Sequence, residues 1–196
     1  MSKLTKKVAL VTGGSRGIGA AIAKRLAADG ASVAITYAKD ASAALTVVKA
    51  IELGGGKAIA IQADAADVEA VKRAVEKTVA TFGRLDVLVN SAGTAIPKPF
   101  EETTLEEMDR VININIRGIF ATTQAALKHM KDGGRIIMVG SAVGERRCAR
   151  PCALRGHKGS RQDVYPGTVQ RGREPRHHGQ QRPARSHRHG SESCGG

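Results

Sequence analysis

The stretch VTGGSRGIG, from Val11 to Gly19, joins the end of a buried strand to a glycine-rich turn and the start of a helix. Glycines at Gly13, Gly17 and Gly19 let the backbone turn tightly and approach a ligand closely. The first N–H groups of a helix have no partners within that helix, and they attract anions. This context predicts a cradle for the diphosphate of a dinucleotide, with a purely structural glycine turn as the alternative.

Short apolar segments and longer helical segments alternate around this turn. The predicted strands are Val8–Thr12, Ser32–Tyr37, Ala58–Gln62, Leu85–Asn90 and Arg135–Gly140. The predicted helices are Gly17–Asp29, Ala41–Leu53, Asp67–Phe82 and Thr104–Met130. The strands lack polar alternation, as expected of parallel strands covered on both faces. Repeated strand–helix units therefore predict an α/β fold, a Rossmann-type doubly wound parallel sheet, in a dinucleotide-binding domain at residues 1–145.

Residues 146–196 have a different composition from the preceding chain. They hold 12 of the 31 Lys and Arg residues, but of the apolar residues Ile, Leu, Val, Met and Phe only Leu154, Val164 and Val169. Such a segment cannot bury enough apolar surface to offset its ordering entropy, so a disordered basic tail is predicted. Electrostatic binding of nucleic acid through this tail is an alternative function of a different class, although no aromatic residues are interleaved in its basic run at residues 170–189 for base stacking.

The composition excludes several other classes of protein. The first 145 residues contain no cysteine, which suits the cytoplasm and excludes a disulfide scaffold. The apolar run Val8–Val11 is too short for a secretion signal, and no stretch approaches membrane-spanning length. Cys148, Cys152 and His157 lack a second ligand pair at zinc-finger spacing, so no metal site is predicted.

Residues near the second and third strand ends suggest how a dinucleotide would be selected. The second strand ends at Tyr37 without the acid that NAD-dependent enzymes use to hold the ribose 2′-hydroxyl. Arg16 and Lys39 are basic residues near that end, which favours the 2′-phosphate of NADP, although Asp40 keeps NAD open. Asp64 follows the third strand and could accept from the adenine amino group or cap the next helix.

Further candidates follow the fourth and fifth strands and interrupt the fourth helix. Asn90, Ala92 and Gly93 lie where small residues leave room for a cofactor. Asn115 lies inside a predicted helix, where asparagine is unfavourable, which indicates a specific role. Ser141 follows the fifth strand, at the edge where parallel sheets bind ligands.

Together these residues resemble the short-chain dehydrogenase/reductase family over residues 6–146, with the closest similarity to NADP-dependent 3-oxoacyl-acyl-carrier-protein reductases. The resemblance implies cytoplasmic hydride transfer between NADPH and a small carbonyl or alcohol substrate, and homo-oligomers built through the Thr104–Met130 helix. It assigns catalytic roles to Asn115 and Ser141. The implied cofactor-binding residues are Gly13, Ser15, Arg16, Gly17, Ile18, Gly19, Tyr37, Lys39, Asp64, Asn90, Ala92 and Gly93. Ser91 departs from the family's usual second Asn.

The catalytic Tyr and the Lys four residues later are missing from the sequence. The family uses the Lys cation to lower the pKa of the Tyr, which protonates the substrate oxygen. The only tyrosines are Tyr37 and Tyr165, and Val169 rather than Lys lies four residues after Tyr165. The family's last strands are also absent. We therefore expect little or no turnover, and a non-catalytic dinucleotide-binding fragment is the second hypothesis.

A frameshift near Arg146 or Arg147 would account for the missing pair. Codons for Leu154 to Lys158, read one nucleotide later, permit Tyr-Ala-Ala-Thr-Lys, the required spacing. The same shift permits an amino-acid sequence that resembles the family from Arg147 to Gly195. The hypothesis is that the tail is translated out of frame.

Overall fold

The computed structural model describes residues 3–141. Their five strands form one parallel sheet. Its strand order is β3-β2-β1-β4-β5. The strands are β1 (Val8–Thr12), β2 (Ser32–Tyr37), β3 (Lys57–Gln62), β4 (Leu85–Asn90) and β5 (Met130–Met138). The predicted Rossmann-type fold is confirmed for this part of the chain. The predictions for residues 146–196, including the disordered tail and the role of Tyr165, lie outside the described residues.

Helices cover both faces of the sheet. They are α1 (Gly17–Ala28), α2 (Ala41–Leu53), α3 (Val68–Phe82), α4 (Leu105–Ile112) and α5 (Gly118–Leu127). A 3₁₀ turn at Phe100–Glu102 precedes α4, and a π-helical segment at Asn113–Arg117 joins α4 to α5.

Alternate side chains of β1 divide the core into two layers. Ala9 and Val11 pack with the buried faces of α1 and α2, whereas Leu10 packs with those of α3 and α5. All three side chains are fully buried. A strand buried on both faces has no need for polar alternation, which is why its sequence is a continuous apolar run.

The predicted helix Thr104–Met130 is wrong as a single element. Thr104 and Glu107 do form the expected capping box, but α4 ends at Ile112 and regular α-helix resumes only at Gly118. The backbone stays helical through the π-helical segment between them, which bonds i→i+5 instead of i→i+4 over only five residues.

The fifth strand also begins earlier than predicted, at Met130 instead of Arg135. Leu85 pairs with Met130 and Val87 pairs with Arg135, so the intervening residues form an irregularity in the strand. Gly133 makes this possible with a φ of +86°. The strand ends at Met138, although Val139 still donates a hydrogen bond to the Asn90 carbonyl at 3.0 Å.

The order of the strands determines where a ligand can bind. The chain moves outward from β1 through β2 to β3, then returns to the other side of β1 to form β4 and β5. Connections from β1 and β4 therefore diverge, leaving a crevice at the carboxyl ends of these two strands. Among residues 3–141, none of the helices has the length and apolarity needed to cross a bilayer.

Asp86 organises the opposite, amino-terminal edge of the sheet. Its carboxylate accepts hydrogen bonds from the Val8 N–H at 3.0 Å, Lys7 Nζ at 3.1 Å and Arg84 Nη2 at 2.6 Å. Burial raises the pKa of Asp86, but the hydrogen bonds from Arg84, Val8 and Lys7 outweigh burial and hold the pKa below its ordinary value. This cluster joins the starts of β1 and β4.

Replacing Asp86 with Asn is expected to lower the free energy of unfolding by about 1–3 kcal/mol, because Lys7 and Arg84 lose a charged acceptor. The depressed folded-state pKa means that this stabilisation is fully present above the unfolded pKa, about 3.9, and is lost as pH falls through the folded pKa. Urea unfolding followed by circular dichroism should show the difference shrinking below about pH 4.

Asp29→Asn is the control for the Asp86 prediction, since Asp29 pairs with Arg25 at 2.9 Å on the surface. Its effect should stay within about 0.5 kcal/mol. Equal losses of stability in the two variants would contradict the role given to Asp86.

Candidate functional site

The glycine turn after β1 is held by Thr36, at the end of the neighbouring strand β2. The Gly13 N–H donates to Thr36 Oγ1 at 3.1 Å, and the Gly14 N–H donates to the Thr36 carbonyl at 2.9 Å. Gly13 has a φ of +66°, and a Cβ on it would lie 2.8 Å from the Ala92 Cα. The turn is therefore fitted between the end of β2 and the loop after β4.

The first turn of α1 packs directly against this glycine turn. A Cβ on Gly19 would collide with the Gly13 carbonyl oxygen, so a larger residue cannot occupy that position without moving the helix. The close approach brings the N-terminus of α1 to the carboxyl end of β1, where the crevice opens.

The N-terminus of α1 differs chemically from those of α2, α3 and α4. Those three begin after Asp40, Asp67 and Thr104, whose side chains accept hydrogen bonds from first-turn N–H groups. Helix α1 begins after Arg16, whose side chain makes no capping hydrogen bond, and its first turn contains no acid. Its N–H groups and positive dipole end are thus available to an external anion.

Thr12 connects the glycine turn to the loop after β4. Its buried Oγ1 accepts hydrogen bonds from the N–H groups of Ser91 and Ala92, both at 3.1 Å, and lies 3.4 Å from the Val89 carbonyl. One hydroxyl therefore fixes the backbone where the chain leaves β4. Only 3% of Thr12 is exposed.

Asn115 lies in the π-helical segment and anchors the next part of the same loop. Its Oδ1 accepts from the Thr94 N–H at 2.9 Å, and its Nδ2 donates to the Thr94 carbonyl at 2.8 Å. The residue is 1% exposed. These two bonds give the unexpected asparagine a positional role, holding the wall of the crevice.

Gly118 brings the start of α5 against the loop that follows β3. A Cβ at this position would collide with the Ala65 carbonyl oxygen. Asp64, in the same loop, accepts a hydrogen bond from the Ala66 N–H through Oδ1 at 3.0 Å. Its Oδ2 lies 3.4 Å from Nη2 of Arg110 on α4.

These elements enclose a cavity of about 430 Å³, a size typical of small-molecule sites. Ten of the predicted residues line it: Gly13, Ser15, Arg16, Gly17, Ile18, Gly19, Tyr37, Asp64, Ala92 and Gly93. An adjoining cavity of about 370 Å³ is lined by Ser15, Arg16, Ala38, Lys39, Asp40 and Arg110. Within residues 3–141, no group of three or more His, Cys, Asp or Glu side chains could hold a metal ion.

Three predicted site residues do not line either cavity. Asn90 is buried behind the wall, where its Nδ2 lies 3.2 Å from Thr123 Oγ1 and 3.3 Å from Met138 Sδ. Asn115 acts on the wall through Thr94, which does line the cavity. Ser141 directly follows Gly140, another lining residue, so it lies at the carboxyl edge of the sheet beyond β5.

Sequence reasoning missed Thr12, Thr36, Thr94 and Arg110. The two strand-end threonines carry a usable signal, because a hydroxyl at the last positions of a buried strand must find a partner. Thr94 directly follows the small residues Ala92 and Gly93. Nothing in the sequence around Arg110 indicates that it reaches the cavity, because its partner Asp64 lies on a different element.

The comparisons with known proteins agree with this architecture. The family model for short chain dehydrogenases matches residues 7–154. An uncharacterized oxidoreductase of Methylorubrum extorquens is 48% identical over 82% of this chain and 64% of its own length. Elsinochrome reductase 1 of Elsinoe fawcettii is 49% identical over 74% of this chain and 55% of its own length. This chain thus spans less than two thirds of either relative.

A solved structure shares the same geometry. The short chain dehydrogenase of Burkholderia cenocepacia, crystallised in complex with NADP, superposes with a TM-score of 0.80 at 48% identity. The match covers 83% of this chain and 66% of that chain.

Replacing Gly19 with Ala is expected to lower the free energy of unfolding by about 1–3 kcal/mol, because the new Cβ meets the Gly13 carbonyl. Gly54→Ala is the matched control: Gly54 has an ordinary φ of −80°, and a Cβ there would lie 3.4 Å from its nearest neighbour, the Ile51 carbonyl oxygen. We expect its effect to be within about 0.5 kcal/mol. Thermal melts followed by circular dichroism that coincide for the two variants would refute the close-packed turn.

Proposed function

The chain belongs to the short chain dehydrogenase family, and from this premise we propose that its residues 3–141 bind NADPH for hydride transfer to or from a small carbonyl or alcohol. The observation that carries the proposal is the uncapped N-terminus of α1, which faces the cavity at the point where the β1 and β4 connections diverge. Parallel α/β sheets bind dinucleotides at this position.

The glycine turn and α1 fit a diphosphate. Gly13, Gly17 and Gly19 place no side chain at their positions in the turn, and Gly17 leaves open space where a Cβ would stand. The first-turn N–H groups supply donors without a competing acid. Arg16, the N-cap residue, adds a positive charge at the same end of the helix.

The adenosine end favours NADP over NAD. Arg16 and Lys39 line the adjoining cavity, where a 2′-phosphate would find two cations. Asp40 is the acid that could instead hold a 2′-hydroxyl, but its Oδ1 accepts from the Ala43 N–H at 2.8 Å as the cap of α2. The NADP complex of the Burkholderia cenocepacia relative supports the same choice.

A nicotinamide cofactor, when bound, would supply or accept the hydride. Ser141, beyond the end of β5, is proposed to donate a hydrogen bond to the substrate oxygen and orient it. Asn115 holds the Thr94 backbone, and its proposed catalytic contribution therefore acts through the shape of the wall. Neither residue supplies the proton that a carbonyl oxygen needs when it becomes an alcohol.

Tyr37 cannot replace the missing proton donor. It ends β2 and lines the cavity beside Ala38, on the adenosine side, whereas Ser141 follows β5 across β1 and β4. The chain as written is therefore proposed to bind the cofactor while turning over little or no substrate. We propose that a frameshift near Arg146 or Arg147 removed the Tyr–Lys pair.

The remaining assignments rest on the family. A 3-oxoacyl substrate is the first choice, and the similarity to Elsinochrome reductase 1 makes an elsinochrome the second. Cysteine-free residues 1–145 suit a cytoplasmic enzyme. Oligomerisation is proposed through the outer faces of α4 and α5, where Phe120 is 57% exposed.

Titration of the purified chain with NADPH, followed through the emission of the coenzyme itself, should show saturable binding. The chain contains no tryptophan, so protein emission does not interfere. A β-ketoester and an elsinochrome should not be reduced at a measurable rate, because the Tyr–Lys pair is missing from the sequence and Tyr37, the one tyrosine within residues 3–141, lies on the adenosine side. A compact chain with no affinity for NADPH or NADH would overturn the proposal.

Removal of one nucleotide near the Arg146 codon tests the frameshift. It should place Tyr and Lys at positions 154 and 158 and restore NADPH-dependent reduction, with the Tyr→Phe version of the restored chain as the control. Resequencing of the gene gives an independent measurement. An intact reading frame that encodes residues 146–196 unchanged would refute the frameshift.

A further inference from the structure

Arg110 reaches the adenosine end of the cavity from a different direction than the other basic residues. It lies on α4 and lines both the main cavity and the adjoining one, whereas Arg16 and Lys39 belong to the loops after β1 and β2. The adjoining cavity is therefore bordered by three cationic side chains from three separate segments. Its acid, Asp40, already caps α2 through Oδ1.

Arg110 is held only loosely in its present position. Its Nη2 lies 3.4 Å from Asp64 Oδ2, and the two side chains are 54% and 34% exposed. A long ion pair between solvent-exposed groups contributes little to stability. A guanidinium forms shorter, charge-assisted and often bidentate hydrogen bonds with a phosphate. A phosphate in the adjoining cavity would therefore compete effectively with Asp64 for Arg110.

The two oxygens of Asp64 have different partners. Oδ1 accepts from the Ala66 N–H at 3.0 Å, which fixes the carboxylate to its own loop. Oδ2 faces Arg110, so it is the oxygen that could accept from an adenine amino group once Arg110 turns away. An adenine bound without a 2′-phosphate in the adjoining cavity would leave Arg110 paired with Asp64. The adenine amino group and Arg110 would then have to share Oδ2.

We propose that Arg110 is a specificity-determining residue that exchanges Asp64 for the 2′-phosphate of the cofactor. The inference rests on the proposed binding of a nicotinamide dinucleotide. A 2′-phosphate draws Arg110 toward Arg16 and Lys39 and leaves Asp64 Oδ2 to the adenine. A dinucleotide without that phosphate gains no contact from Arg110 and meets it as a competitor at Asp64.

The test uses the full chain and its Arg110→Met variant, titrated with NADPH and NADH. The dissociation constant for NADPH should rise about tenfold, because one charge-assisted contact is lost. The constant for NADH should stay unchanged or fall, since Asp64 is released. Calorimetry with 2′,5′-ADP and 5′-AMP should reproduce the same split, because these fragments differ at the 2′-phosphate and contain no nicotinamide.

Two further variants control for fold and charge. Arg110→Lys keeps the positive charge and should retain most of the preference for NADPH. Arg25→Met removes an arginine that pairs with Asp29 at 2.9 Å and lines neither cavity, so both dissociation constants should match those of the wild type. Melting curves by circular dichroism should be similar for all variants.

The outcomes separate this inference from the proposed function. Wild-type binding of NADPH with an unchanged NADPH-to-NADH ratio in Arg110→Met would overturn the role of Arg110 and leave the proposed function standing. Equal weakening of both coenzymes would also overturn it, because Arg110 would then only support the loop. Failure of the wild type to bind either coenzyme would overturn both.

Discussion

The hydroxyl groups of Thr12 and Thr36 hold the glycine turn and the loop after β4 in one arrangement. Thr36 Oγ1 accepts from the Gly13 N–H, and Thr12 Oγ1 accepts from two successive N–H groups after β4. Because Gly13 lies against Ala92 without room for a Cβ, neither loop can move independently of the other. The width of the crevice, and with it the position of α1, follows from this contact. The same contact explains why a cavity of defined shape exists where the strand connections diverge.

The two edges of the sheet use charge in opposite ways. At the amino-terminal edge, Asp86 is surrounded by Lys7, Arg84 and the Val8 N–H, so its charge is satisfied internally. At the carboxyl-terminal edge, the N-terminus of α1 lacks a cap and basic side chains border the cavity. Internal pairing stabilises the fold, whereas the exposed first residues of α1 leave their N–H donors to solvent or to a ligand. The proposed binding site therefore lies where the chain leaves its donors to an external partner.

Most of the fold could be predicted from the sequence, because the signals for strands and helices are local. The bounds of β1, β2, β4 and α2 match the predicted ones, since each is a continuous apolar or amphipathic run. The errors arose where tertiary contacts decide. No residue between Leu127 and Met130 breaks a helix, yet the pairing of Met130 with Leu85 begins the fifth strand there. The π-helical segment is likewise fixed by long-range contacts, through Asn115 to Thr94 and through Gly118 to the Ala65 loop. Arg110 was not predicted for the same reason, because its ion-pair partner, Asp64, is distant in the sequence.

In the proposed function, cofactor binding and proton delivery would depend on different parts of the chain. Within residues 3–141, the residues that line the two cavities run from Gly13 to Gly140, whereas the Tyr–Lys pair of the family would follow Ser141. Binding of the adenosine and diphosphate would not require a catalytic acid. The proposed anion-binding turn is held in place by Thr12, Thr36 and Gly19. Uniform binding of that kind does not by itself accelerate a reaction, which requires interactions that strengthen in the transition state. In the proposed function, a chain that keeps the cradle but lacks the Tyr–Lys pair would therefore hold the coenzyme in its ground state, as a binding protein with the architecture of a reductase.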